Sequence, residues 1–146
     1  MSRPERSRRS DYRFFHPIST RWKDNDAFGH VNNVEYYSYF DTAVTYFLLC
    51  HGLIGVTDGK IITVVVETGC RYHASVAFPD AVTVGVRVAR IGTSSVRYEI
   101  AVFRNDEDEA AAEGHFVHVY VERAGMRPVP IPEASRAALG TIAVAV

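Results

Sequence analysis

The hydrophobic pattern of the second half of the chain has a period of two. From Ala81 to Ile91, residues Val82, Val84, Val86 and Val88 fall on one side, with Thr83, Gly85, Arg87 and Ala89 on the other. Ser95–Arg104 repeats it with Val96, Tyr98, Ile100 and Val102. Such alternation marks half-buried strands. Ile61–Tyr72 and Ala110–Glu122 are β-rich in the same way, and Gly92-Thr93-Ser94 and Asn105–Glu109 read as the turns between them. Phe14–Lys23, with Phe14, Phe15, Ile18 and Trp22, predicts a first strand, and Pro17 assigns it to a sheet edge or a bulge.

One segment has the helical period instead. In Val34–His51 the residues Tyr37, Phe40, Val44, Phe47 and Leu48 recur at helical spacing, and Tyr36, Ala43 and Cys50 widen the apolar surface. Glu35, Ser38, Asp41, Thr42 and Thr45 leave only a narrow polar stripe. A helix so apolar must be wrapped by other structure. Asn32 or Asn33 can cap its start, with Glu35 three residues after Asn32, and Gly52 can stop it. Pro128, Pro130 and Pro132 form an extended segment, and Glu133–Leu139 reads as a short helix. A strand, a long helix and four consecutive strands predict an α+β fold, its antiparallel sheet a meander covering the helix.

The chain has 146 residues, 47% of them hydrophobic, which suits one domain with a substantial core. Residues 1–12, rich in Arg and Ser, are expected to be a disordered tail, and 13–146 a single domain. The tail's composition also suits a transit peptide, but it lacks an amphipathic apolar face. A net charge of −1 disfavours nucleic-acid or membrane-surface partners. No apolar window is long enough for a membrane helix and no secretory leader pattern is evident, so a cytoplasmic protein is expected. Cys50 and Cys70 lack metal-finger spacing and read as half-buried reduced thiols. His73, His115 and His118 show no metal-ligand spacing and read as ordinary strand histidines; no metal and no cofactor are expected.

The chemistry-bearing stretch is Arg21-Trp22-Lys23-Asp24-Asn25-Asp26-Ala27-Phe28-Gly29-His30-Val31-Asn32-Asn33. It sets a carboxylate, a glycine turn and a histidine directly before the buried helix. A helix start exposes unpaired N–H groups and partial positive charge, which can polarise a carbonyl or hold an oxyanion. An acid folding back over that spot adds a nucleophile or general base. Taken alone, the same residues also suit a solvated turn and a helix cap.

Arg21, Asp24, Asp26, Gly29, His30, Val31, Asn32 and Asn33, with Tyr36 and Phe40, resemble the signature of the 4-hydroxybenzoyl-CoA thioesterase family. The likeness continues through Glu67–Tyr72, Asp80-Ala81-Val82, Ile91–Ser95 and Arg127–Pro132, so it covers nearly the whole chain. It implies the hotdog fold, an antiparallel sheet wrapped around one long helix. It also implies acyl-CoA thioester hydrolysis, with coenzyme A as leaving group and not as cofactor, in a homo-oligomer, a dimer or dimer of dimers. The family's catalytic carboxylate falls on Asp26, as nucleophile or as base for a water. The thioester oxygen would lie by the Asn33 backbone N–H, with His30 and Asn32 shaping the pocket. Ser94, Ser95 and Arg97, and further Arg71 and Arg90, are candidates for coenzyme A contacts, and Tyr36 and Tyr37 for the acyl pocket. Asp24 reads as structural, a partner for Arg21. A second hotdog thioesterase type carries its acid on the long helix, which would shift attention to Glu35 or Asp41. Two other functions stay open: a hotdog enoyl-CoA hydratase or dehydratase using His30 with Asp26, and a non-catalytic acyl-CoA binding module.

Overall fold

The computed structural model describes residues 5–53 and 59–144. Five strands and two helices follow in order: β1 (Phe14–Ser19), α1 (Asn33–Cys50), β2 (Ile61–Tyr72), β3 (Ala81–Ile91), β4 (Ser95–Arg104), β5 (Ala112–Glu122) and α2 (Glu133–Gly140). The strands form one antiparallel sheet in the order β1-β3-β4-β5-β2. The alternating valines set the sheet's two faces. Val82, Val84, Val86 and Val88 of β3, and Val96, Tyr98, Ile100 and Val102 of β4, are buried in one cluster with Tyr36, Tyr39, Phe40, Ala43, Val44, Phe47 and Leu48 of α1. This is the hotdog arrangement, with the sheet curled around its long helix. At about 0.8 kcal/mol per buried CH2, that shared surface is the main force holding α1 in the sheet.

Four expectations are corrected. The sheet is not a simple meander: β3, β4 and β5 follow one another, but β2 pairs with β5 at the far edge. Alternation decides which side of a strand is buried, not which strand lies beside it. The first strand stops at Ser19; Trp22–Asp24 forms a 3-10 turn, and Trp22 is exposed, edge-on to Phe78. The expected tail is anchored from Arg6 onward. Arg6 Nε donates to Ala110 O at 2.8 Å, Arg9 Nε to Glu107 O at 2.9 Å, and Arg8 pairs with Asp108 at 3.1 Å. Arg6, Arg8 and Arg9, which suggest a solvated arm, are instead matched to the acidic turn 105–109, and Tyr12 is buried beside Phe103. Residues 1–4 of that expected tail lie outside the described residues. Of the two thiols, Cys70 is half-buried but Cys50, at the end of α1, is exposed.

No helix among the described residues is long and apolar enough to cross a membrane.

Candidate active site

The segment between β1 and α1 is built on a buried acid. Asp24 is fully buried, and its carboxylate accepts from Tyr39 Oη at 2.7 Å and from the Arg21 amide at 2.9 Å. The Arg21 guanidinium lies 3.1 Å away. Burial works against the charge, but the hydrogen bonds from Tyr39 and Arg21, and the Arg21 charge, outweigh it and hold the carboxyl below its ordinary range. The same contact, with burial, pushes the Tyr39 hydroxyl far up. Asp24 also accepts the Asn32 amide on its backbone oxygen at 2.8 Å. One residue thus ties the loop to both the helix core and the helix start.

Between those two ties the chain closes a tight turn. Asp26 N donates to His30 O at 2.8 Å, and Gly29 N to Asp26 O at 3.1 Å. Gly29 has φ +84°, a conformation that favours glycine. Asp26 Oδ1 accepts from the Phe28 amide at 2.8 Å. Asn32 caps α1: its Oδ1 accepts from Val34 N at 3.0 Å and its backbone oxygen from Glu35 N at 2.9 Å. With those two amides taken, the Asn33 N–H is the first of the helix without an acceptor among the described residues. It lies at the positive end of an 18-residue helix.

A cavity of about 310 Å³ opens at this point. Asp26, His30, Val31, Asn33 and Tyr36 line one side, and Tyr72, His73, Ala74 and Ser75 the other. Tyr72 Oη donates to Asn33 O at 2.9 Å, and its ring meets Tyr36 edge-on at 4.9 Å. Burial raises the Tyr36 hydroxyl above its ordinary range, so it stays neutral and can donate a hydrogen bond.

Of the residues singled out from the sequence, the fold brings Asp26, His30, Asn33 and Tyr36 together in this cavity. Asn32 does not line it, because its side chain is spent on the cap. Tyr37 packs edge-on against Phe40. Asp24 pairs with Arg21, and Glu35 lies 3.8 Å from the same guanidinium. Arg71 and Arg97 line a different cavity of about 430 Å³, with Tyr12, Arg87, Glu99, Glu113 and His115. These side chains alternate with the core residues of their strands, so that cavity is on the sheet face away from α1. Arg97 is also engaged by Glu67 at 3.6 Å. Ser94 and Ser95 lie at the β3–β4 hairpin and Arg90 at a bulge in β3, none of them lining the cavity of Asp26. Tyr72 and His73 read as plain strand residues from the sequence. Nothing in their local pattern reports that the end of β2 meets the start of α1. Among the described residues no cluster of His, Cys, Asp and Glu is placed to hold a metal.

The model of the thioesterase-like superfamily matches residues 20–139, from the loop before Asp24 to the end of α2. The chain belongs to the thioesterase-like superfamily. That agrees with the resemblance to 4-hydroxybenzoyl-CoA thioesterases seen in the loop sequence. Two solved structures and one further sequence illustrate what the chain is similar to. The crystal structure of the PA5185 protein from Pseudomonas aeruginosa strain PAO1 is 50% identical, with a TM-score of 0.94 over 97% of this chain and 99% of that one. A thioesterase from Thermus thermophilus, solved with coenzyme A and Zn, is 32% identical, with a TM-score of 0.76 over 90% and 95% of the two chains. The YsmA protein of Bacillus subtilis strain 168 is 27% identical over 122 residues, 83% of this chain and 81% of that one.

Proposed function

We propose that this chain hydrolyses acyl-CoA thioesters to the free acid and coenzyme A, with Asp26 as the reacting carboxylate. The observation that carries the reading is one cavity holding both an acid and the unpaired amide opening a long helix. Asp26 Oδ1 is fixed by Phe28 N, which aims the carboxylate and leaves Oδ2 available. The carbonyl oxygen of a thioester placed here is polarised by the Asn33 N–H and the helix end. Loss of one such donor typically costs about 3 kcal/mol of transition-state stabilisation. Tyr36 and Tyr72 offer an aromatic wall to the acyl group. Superfamily membership and the coenzyme A complex of the Thermus relative support a coenzyme A thioester as the substrate.

The working unit is proposed to be a homo-oligomer formed through β2. This strand of 12 residues ends the sheet with no strand on its outer edge among the described residues, and Ile61, Val65 and Val66 on it are exposed. A long apolar edge favours pairing with a second copy.

The test is a hydrolysis screen over aromatic, short-chain and long-chain acyl-CoAs with the wild type and Asp26→Asn. Turnover of at least one class, lost by about 10²-fold or more in Asp26→Asn, is the expected result. Full activity in the variant overturns the assignment. Hydration of enoyl-CoA, or tight binding with no turnover of any chain length, would point to the hydratase or the binding module instead.

A further inference from the structure

The cavity has a second polar wall that Asp26 and the helix end do not account for. His73 directly follows β2 and lines the cavity with Asp26 and Asn33. Its Nε2 is 2.6 Å from Glu113 Oε2, with the two side chains only 13% and 20% exposed. The backbone holds it too: the amides of His73 and Ala74 both donate to Ala111 O, at 2.8 and 3.0 Å. Glu113 reaches it from β5, two residues beyond Ala111, and its own side chain also lines the cavity on the opposite sheet face. An ionised carboxylate only accepts, so it places the proton of the neutral ring on Nε2 and leaves Nδ1 a pure acceptor. Nδ1 has no partner among the described residues, and it is not one of the sealed unpaired atoms, which belong to Asp24, Tyr98 and His118.

We infer that His73, set by Glu113, is a positioning residue for the attacking water, and that water rather than Asp26 attacks the thioester carbon. The inference rests on the thioester-hydrolase reading of the site. A water presenting a lone pair to a carbonyl carbon must direct both O–H groups elsewhere. Asp26 Oδ2 accepts one, since Oδ1 is engaged by Phe28 N. His73 Nδ1 accepts the other. As the new C–O bond forms, one water proton passes to Asp26 and the carbonyl electron pair moves onto oxygen, beside the Asn33 amide. Collapse breaks the C–S bond, the sulfur leaves with its electron pair, and Asp26 returns the proton to it. The products are a carboxylic acid and a thiol, and His73 ends with the proton it started with.

The experiment is single-turnover hydrolysis in H2(18)O, enzyme in excess over the best acyl-CoA of the screen, with steady-state kinetics beside it. First-turnover product carrying the label, with none in the protein, is expected. His73→Ala should lower kcat by about 10- to 100-fold, as for a misplaced reactant, with KM changed less than about threefold. His73→Asn, whose side-chain oxygen can stand near the Nδ1 position, should recover part of that loss, and Glu113→Gln should lose less than His73→Ala. Unlabelled first product with label on Asp26 overturns the inference, as does wild-type kcat in His73→Ala. If His73→Ala does not fold, the label and the His73→Asn kcat decide in the same directions. Failure of the underlying reading looks different: Asp26→Asn retains full activity.

Discussion

Replacing His118 by Phe tests how far burial controls charge in this core. His118 is on the core face of β5, 5% exposed, between the Phe116 ring at 5.6 Å and the Tyr98 ring at 5.2 Å. Neither ring nitrogen has a partner among the described residues. Burial alone pushes its pKa from 6.5 down to about 4. The neutral ring therefore fits the fold and the charged ring does not. The unfolded chain takes up a proton below pH 6.5, while the folded chain resists until about pH 4. Across that window the unfolded state binds more protons, so stability rises with pH and falls as acid is added. At about 1.36 kcal/mol per unit, the full window is worth about 3 kcal/mol, and the loss by pH 5 is about 2 kcal/mol. His118→Phe removes this linkage and two unpaired nitrogens, so at pH 7 it should be neutral or stabilising. Urea unfolding of both proteins from about pH 4.5 to 7.5, at one protein concentration because oligomers shift with it, reads the difference directly. The two stability curves should run at a constant offset near neutral pH and separate below pH 6.5. Parallel curves down to about pH 5 would refute the reasoning, since the ring would then be accommodating its charge inside the fold.

Tyr39→Phe removes the hydroxyl from a buried carboxylate and should cost about 1.5–3 kcal/mol in urea unfolding at pH 7, more than the partly exposed Arg21 pair contributes. Because the Asp24 pKa is lowered in the fold, its stabilisation is present above the unfolded carboxyl's value and is lost as pH falls through the folded one, so this penalty should shrink in acid. Gly114→Ala sets a Cβ 2.4 Å from the Phe40 ring and 2.6 Å from Gly69 O, an overpacking that should lower stability by about 1–3 kcal/mol, seen as a lower Tm; an unchanged Tm would contradict the close approach. Val66→Lys places a charge at the exposed bulge of the free β2 edge and should shift the mass in analytical ultracentrifugation toward the monomer, while an unchanged assembly would argue against pairing through that edge.

The periodicities alone specified a great deal here. The valines of β3 and β4 and the helical spacing from Tyr36 to Leu48 are local patterns, and each reports directly which side of its element is buried. The loop Arg21–Asn33 was legible for a similar reason, since its turn, cap and acid are neighbours in sequence. Long-range partnerships were not. Alternation reads the same whichever strand lies alongside, so the crossing of β2 to pair with β5 had to come from the folded sheet. That crossing carries Tyr72 and His73 to the helix start, and register on β5 brings Glu113 to His73. Arg6, Arg8 and Arg9 resemble a solvated arm because their partners at the acidic turn and beside it lie about a hundred residues away. Sequence records what each side chain is and the period of its element. Which side chains meet is decided only when the chain closes over its core, because a contact depends on distance in space and a sequence pattern does not.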